Sequence, residues 1–148
     1  MLFAIGMPTN EDPPNYEYGQ DIRDRTFAFA CHVVKFCQTL YEGGGVGQLM
    51  APQLVHSSTS AASMLEEARA AESDADFVSK CCISLKECRE TWTRLRVCQA
   101  CKVGDLKEAA AMIKEGGELI AIIGSIIRNK RRSMAAKPGR SRRRLVNS

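Results

Sequence analysis

Apolar residues recur at intervals of three and four along four stretches of the chain, which is the spacing of amphipathic helices. The first stretch begins after Asp21, a residue type that caps helix N-termini, and a run of glycines at 43–45 ends it. Its broad apolar face is expected to combine two neighbouring stripes, which are Phe27, Ala30, Val34, Cys37 and Tyr41, and Phe29, Val33, Phe36 and Leu40.

The second and third stretches predict helices over 46–71 and from about residue 74 to 101–104. Pro52 lies in the first turns of the second helix, where the helix either starts or bends. Ser73 is a good N-cap for the third helix, and Asp76, three residues later, resembles a capping box. The expected contact stripes are Leu54, Ser58, Ala61, Leu65 and Ala68 in the second helix and Phe77, Cys81, Leu85, Cys88, Trp92 and Leu95 in the third.

The fourth stretch begins after Asp105, a further N-cap, and its periodicity ends at Arg132. Gly116 and Gly117 in its middle predict a kink or a close packing point, because glycine costs about 1 kcal/mol relative to alanine in a helix. The expected stripe is Leu106, Ala109, Ile113, Ile120, Ile123 and Ile127.

Four amphipathic helices with short connections predict an all-α fold, an antiparallel up-down-up-down four-helix bundle. We expect the bundle to occupy residues 21–132. Residues 1–20 are rich in proline and acidic residues and are expected to form a disordered, flexible N-terminal arm. Residues 133–148 are expected to form a basic disordered tail.

Charge divides the chain into an acidic body and a basic end. The 148 residues include 21 basic and 17 acidic side chains, a net charge of +4. Nine of the basic residues and none of the acidic ones lie from residue 128 onward, so the rest of the chain is net acidic. These nine are Arg128, Lys130, Arg131, Arg132, Lys137, Arg140, Arg142, Arg143 and Arg144.

The basic end predicts one of two roles. A terminal block of like charge stays solvated and often binds a partner, and RNA or DNA phosphates are the obvious one. The alternative is a solubilising tail with only non-specific affinity for polyanions. The tail has no aromatic residue, so base stacking cannot come from it.

The sequence offers little that would support catalysis or a cofactor. Cys98 and Cys101 form a single CxxC pair without a matching partner motif. Five of the seven cysteines fall on or beside apolar stripes, which favours core packing over metal binding. Neither His32 nor His56 has the glutamate three residues earlier that a di-iron bundle requires. We therefore expect no enzyme, no metal and no cofactor.

The location expected for the chain is the cytoplasm. The apolar start, from Met1 to Met7, lacks the basic residues of a signal peptide. No apolar run approaches the roughly 20 residues that would span a membrane, so no membrane partner is expected.

A few charged residues lie close to predicted apolar faces. Arg25 is near the stripe of the first helix, Glu67 is near the end of the second, and Glu87 and Glu90 share one side of the third. A charge near the core needs a partner, because an unpaired buried charge is costly. These four residues therefore form either a structural polar network, a contact between subunits, or simply part of the solvent-exposed surface.

Four motifs resemble the protein family encoded by intervening sequences of bacterial large-subunit ribosomal RNA genes. They are DRTFAFA at 24–30, QLVHSSTS at 53–60, EEARAAES at 66–73 and DFVSKCCISLKECRET at 76–91. The resemblance covers residues 22–128. Two positions depart from the family pattern, since His56 replaces an arginine and Met64 an asparagine. Helix packing should survive both changes, whereas a ligand or nucleic-acid contact that rests on them is in doubt.

The resemblance implies an antiparallel four-helix bundle that assembles as a ring-shaped homopentamer. Most members have no assigned role, and relatives include a nucleic-acid-binding accessory protein of retroelements that diversify genes. We hypothesise a non-enzymatic oligomer that binds RNA or DNA through its basic tail. The alternative is a protein–protein interaction scaffold with an incidental tail, and a minor third hypothesis is metal binding at Cys98 and Cys101.

Overall fold

Four helices fold against one another in the computed structural model, which describes residues 21–137. They are α1 (Ile22–Gly43), α2 (Gly45–Arg69), α3 (Asp74–Ala100) and α4 (Leu106–Ala136). Each helix packs antiparallel on its neighbour in the chain, and α4 packs on α1 to close the bundle. The predicted all-α four-helix bundle is therefore confirmed, and the described residues contain no strand.

Three of the helices begin at the side chains that the sequence marks as N-caps. Asp21 accepts a hydrogen bond from the Arg23 amide at 2.8 Å, Ser73 from the Asp76 amide at 3.0 Å, and Asp105 from the Glu108 amide at 2.8 Å. These bonds satisfy amides that have no partner within the helix. Gly44, at φ 70°, alone links α1 to α2. The left-handed backbone at this residue favours glycine.

The last helix is longer than the sequence pattern predicts. Residues 133–136, which we expected in a disordered tail, continue α4 to Ala136. Met134 packs against an apolar cluster that includes Ile127, and Lys137 donates a hydrogen bond to Asp74 on α3. These long-range contacts hold the last turn where the apolar periodicity has ended. Residues 1–20 and 138–148, predicted to be disordered, lie outside the described part of the chain.

Two apolar clusters fill the bundle. One centres on Phe29, Phe36, Leu54, Leu95 and Met112 and lies towards the link between α1 and α2. The other contains Leu65, Cys81, Cys88, Ile123 and Ile127 and lies towards the end of α4. The helix packs tightly at Gly116, where an added Cβ would lie 3.3 Å from both Phe29 and Trp92. Of the two outcomes predicted for the glycine pair, close packing is therefore found at Gly116.

Only one of the two stripes predicted for α1 faces the core throughout. Phe29, Val33, Phe36 and Leu40 are buried. The other stripe splits, because Ala30 and Cys37 are buried whereas Phe27 and Tyr41 are 56% and 57% exposed. The prediction that Phe27 and Tyr41 join the core is wrong, since α1 packs on α2 and α4 along a different line. Both residues instead line shallow grooves between α1 and α2.

Candidate nucleic-acid interface

The basic end of α4 projects past the start of α1. Arg25, in the first turn of α1, pairs with Glu115 and Glu118 on α4. Because the two helices are antiparallel, the turns of α4 from Arg128 onward lie beyond the first residue of α1. At a rise of about 1.5 Å per residue, Arg128 is roughly 15 Å further along the helix than Glu118. This end of α4 therefore has α3 beside it but not α1.

Two of the predicted cations are paired with one acid on α3. Lys130 and Lys137 lie 2.7 and 2.6 Å from the two oxygens of Asp74, in the first turn of α3. Their hydrogen bonds lower the pKa of Asp74 to about 2. Lys130 also sits 5.5 Å from the ring centre of Phe77, a distance at which a cation is attracted to an aromatic face. Part of the positive charge here is therefore neutralised.

Three arginines provide the remaining described charge. Arg128, Arg131 and Arg132 follow the spacing i, i+3, i+4, so they share one side of α4, and all three are exposed. Arg128 donates to the Ser125 hydroxyl at 3.0 Å, and Arg131 to the Cys82 sulfur at 3.6 Å. Within residues 21–137, no carboxylate lies within ion-pair distance of these three guanidinium groups. They can each donate two hydrogen bonds to a phosphate.

The other predicted nucleic-acid-binding residues, Arg140, Arg142, Arg143 and Arg144, lie outside the described residues. The structure therefore brings together five of the nine predicted cations. Three of these five face solvent and have no acidic partner within residues 21–137, and two share Asp74.

A buried ion-pair network joins α1 to α4, but its members differ from those predicted. The guanidinium of Arg25 forms two parallel hydrogen bonds with Glu115, at 2.9 and 2.8 Å, and a third with Glu118 at 2.7 Å. Arg25 and Glu115 are buried, whereas Glu118 is half exposed. The hydrogen bonds to Glu115 raise the pKa of Arg25 above its ordinary value. Arg25 is therefore a permanent cation that ties the bundle closed.

The three glutamates predicted to join Arg25 lie elsewhere. Glu67 is exposed on α2, and Glu90 pairs with Arg94 one turn away on α3. Glu87 is half-buried, and its Oε2 is buried without a hydrogen-bond partner among the described residues. The expected grouping of Arg25 with Glu67, Glu87 and Glu90 is therefore not formed within this protomer.

Glu115 is a member of the network that the sequence reasoning missed, although the helical spacing contains a signal for it. Glu115 falls between Met112 and Leu119, both fully buried, and so lies on the core stripe of α4. A carboxylate in that position requires a cation. A second missed link between the same helices joins the ring of buried His32 on α1 to the carboxylate of Glu108 in the first turn of α4.

The cysteines do not assemble a metal site among the described residues, where no group of three potential ligands is found. All seven are free thiols. Cys98 is buried and its sulfur lies 3.8 Å from that of Met50, whereas Cys101 is exposed. Burial raises the pKa of the Cys98 thiol and so disfavours the thiolate that binds metals.

Two further sequence features now have a place in the fold. His56 and Met64, the departures from the family pattern, both lie on α2, where His56 is exposed and Met64 half-buried. Neither takes part in the core clusters. No described helix has the length and continuous apolar character that crossing a bilayer requires.

Comparisons with known proteins agree with this architecture. The family model of the 23S rRNA-intervening sequence protein matches residues 20–125. A crystal structure from Bacteroides thetaiotaomicron, described as a protein of unknown function from the S23 ribosomal protein family, has 28% sequence identity and a TM-score of 0.66. The match covers 72% of this chain and 98% of that one. No functionally curated protein matches the chain. The chain belongs to the family of 23S rRNA-intervening sequence proteins.

Proposed function

We propose that this protein is a non-enzymatic homo-oligomer that binds RNA or DNA phosphates through the basic end of α4 and the residues after it. The observation that carries the proposal is the exposed face of Arg128, Arg131 and Arg132. These guanidinium groups have no acidic partner among the described residues. They lie at the end of α4 that α1 does not cover. The four arginines at 140–144 add charge of the same sign.

Binding of this kind takes its affinity from electrostatics. Each phosphate neutralised by an arginine releases condensed counterions, so the affinity falls steeply as salt rises. The acidic body repels nucleic acid and confines contact to this end. Several copies in one assembly, a pentamer by family resemblance, would bring several basic ends to the same nucleic acid and raise the avidity. The proposed location is the reducing cytoplasm, which suits seven free thiols.

The test measures binding of RNA and duplex DNA to the purified full chain across a salt series, with the mass of the protein determined in the same samples. A variant with Arg128→Gln, Arg131→Gln and Arg132→Gln should bind more weakly. Its salt slope on duplex DNA should fall by about 0.9 for each phosphate that the protein no longer neutralises. Deleting the residues after Arg132 should also weaken binding and flatten the salt dependence.

A matched control removes the same charge elsewhere. Lys86, Arg89 and Lys114 are exposed on α3 and the first half of α4, and their replacement by glutamine should leave the slope unchanged. Equal weakening by the two triple variants would show that only net charge matters. Binding by the truncated chain as strong as that of the full chain would contradict the proposal.

A protein–protein interaction scaffold is the second candidate. The exposed apolar side chains Phe27 and Tyr41 beside α2 favour it, because such contiguous surface is typical of protein contacts. Recovery of a protein and no nucleic acid with the cross-linked chain would favour this scaffold over the nucleic-acid proposal.

A further inference from the structure

A continuous apolar groove runs along the outside of the bundle between α1 and α2. Its larger part has a volume of about 700 Å³ and begins at Arg23, and a second part of about 330 Å³ continues it to Glu42. From Arg23 to Glu42 the groove follows α1 for about 30 Å, at 1.5 Å per residue. A contiguous exposed apolar surface often marks a binding site, so the occupant of this groove needs to be identified.

The side chains along the groove follow the pattern of a helix-packing seam. On α1 they are Phe27, Cys31, Val34, Gln38 and Tyr41, and on α2 they are Pro52, Val55, Thr59, Ala62 and Glu66. Both series advance in steps of three and four residues, the spacing at which one helix packs along another. The middle of the α2 side is made of small residues, Thr59, Ala62 and Ser63, which allow a helix backbone to come close. The groove is therefore shaped to receive a helix.

We propose that the occupant is a helix of a second copy of this chain, so that the groove between α1 and α2 is the surface through which the protein self-associates. The dimensions fit this occupant. Two helices side by side present a face about 20 Å wide, and over 30 Å this gives roughly 600 Å², near the 800 Å² that each partner buries in a standard interface. All four helices of the chain are long enough to span the groove.

The charges around the groove also permit a second copy. Its rim carries Arg23 and Lys35 together with Asp24, Glu42 and Glu66, so both signs are present and identical surfaces do not simply repel. Nucleic acid does not fit a groove with a mainly apolar lining. The apolar stretch from Met1 to Met7 is a poorer candidate, since seven residues would span only about 10 Å as a helix.

This inference deepens the self-association part of the proposed function and is independent of nucleic-acid binding. The experiment therefore uses the full chain without nucleic acid and measures its mass by light scattering over a range of concentrations. The measured mass should be at least twice the 16.3 kDa of one chain. Phe27→Asp replaces an apolar contact inside the groove with a carboxylate that loses its hydration when a helix packs there, and should weaken self-association by about 100-fold. Thr59→Arg, on the exposed opposite wall, should do the same by blocking the groove.

Ile83→Asp is the matched control, because Ile83 is an exposed apolar residue on α3 that does not line the groove. It should leave the mass unchanged. Circular dichroism should show the helical content of all three variants to be that of the parent chain. Since Phe27 is 56% exposed and Thr59 is exposed, neither change should disturb the core of the protomer.

Cys31 supplies a direct report on the groove, because it lines the groove and is a free thiol. Its labelling by a maleimide should be slow in the parent chain and several-fold faster in Phe27→Asp, while the exposed Cys101 is labelled equally in both. A parent chain that is monomeric at all concentrations would overturn the proposal. Release of Cys31 by deletion of residues 2–20, without a change in mass, would assign the groove to the N-terminal segment instead.

Discussion

The guanidinium of Arg25 illustrates how one residue can hold two helices together. Its partner Glu115 is only 3% exposed and lies on the core stripe of α4, where no other described cation is within ion-pair distance. Removing Glu115 would leave the buried Arg25 with only the half-exposed Glu118 as a counter-ion, so the buried charge would lose its better partner. The stability of the contact between α1 and α4 should therefore depend on Glu115 far more than on Glu118, which is half exposed.

We predict that Glu115→Gln lowers the free energy of unfolding by about 3 kcal/mol, a cost typical of breaking a buried ion pair. Glu118→Gln should cost less than about 1 kcal/mol, because water screens an exposed pair. Urea unfolding followed by circular dichroism measures both. A double variant, Arg25→Met with Glu115→Leu, should recover much of the loss. Equal effects of the two single substitutions would contradict this account of the network.

Gly104 presents a steric constraint in the connection between α3 and α4. Its φ of +79° is in the left-handed region, and a Cβ there would lie 2.6 Å from Leu40 and 2.8 Å from Phe36, both core residues. We predict that Gly104→Ala destabilises the protein by about 2–4 kcal/mol, through backbone strain and overpacking together.

Gly45 provides the control for Gly104, because its φ is also positive, at +62°, but no atom lies within 4 Å of the position that a Cβ would occupy. Gly45→Ala should therefore show only the backbone cost of about 1–2 kcal/mol. Thermal and urea unfolding of the two variants would separate the two contributions. A Gly104→Ala variant no less stable than Gly45→Ala would show that Leu40 and Phe36 move aside freely.

At the scale of helices, the sequence is a better guide to where the helices form than to which of their faces are buried. Asp21, Ser73 and Asp105 mark the helix starts correctly, because a cap is a local interaction. Local spacing could not decide whether Phe27 or Phe29 faces the core, since both belong to apolar stripes of α1. That choice depends on where α2 and α4 pack, which is a property of the assembled bundle.

At the candidate nucleic-acid interface, too, local sequence patterns reveal some features, whereas others depend on how the helices pack. The arginines from Arg128 onward can be recognised in the sequence as a run of like charge. Asp74, which pairs with Lys137, cannot be recognised in this way, because it precedes Lys137 by 63 residues. Glu115 is 90 residues from Arg25, so their pairing is equally invisible to local patterns. Pairings of this kind arise from the antiparallel register of the packed helices, so a run of like charge overstates the free charge of the folded surface.

Asp74 should also stabilise the last turns of α4 in a pH-dependent way. Lys130 and Lys137 lower its pKa to about 2 from an ordinary value of 3.8. A depressed folded-state pKa means that the ion pairs of Asp74 contribute fully to stability above the ordinary pKa of 3.8, and that this contribution is lost as the pH falls through about 2. In Asp74→Asn, the amides of residues 130–136 should exchange faster at neutral pH. The difference in exchange rate between Asp74→Asn and the parent chain should shrink as the pH falls through about 2, as hydrogen exchange with mass spectrometry would show.

At the scale of the whole molecule, Asp74 sets how much positive charge the end of α4 presents to a partner. Its carboxylate forms ion pairs with two of the five basic residues described at this end of the chain, Lys130 and Lys137. A phosphate approaching this surface must compete with that carboxylate for Lys130 and Lys137, and is also repelled by it. The acid therefore acts against nucleic-acid binding while it stabilises the helix end.

We predict that Asp74→Asn raises the affinity for duplex DNA or RNA a few-fold near 0.1 M salt, because it frees two lysines and removes one negative charge. The gain should shrink as salt screens the surface. Glu72→Gln, a change of equal charge two residues earlier at an exposed position, should produce a smaller gain because no described lysine of α4 pairs with Glu72. Fluorescence anisotropy with both variants makes the comparison. Equal affinity of Asp74→Asn and the parent chain would mean that Lys130 and Lys137 do not meet the nucleic acid.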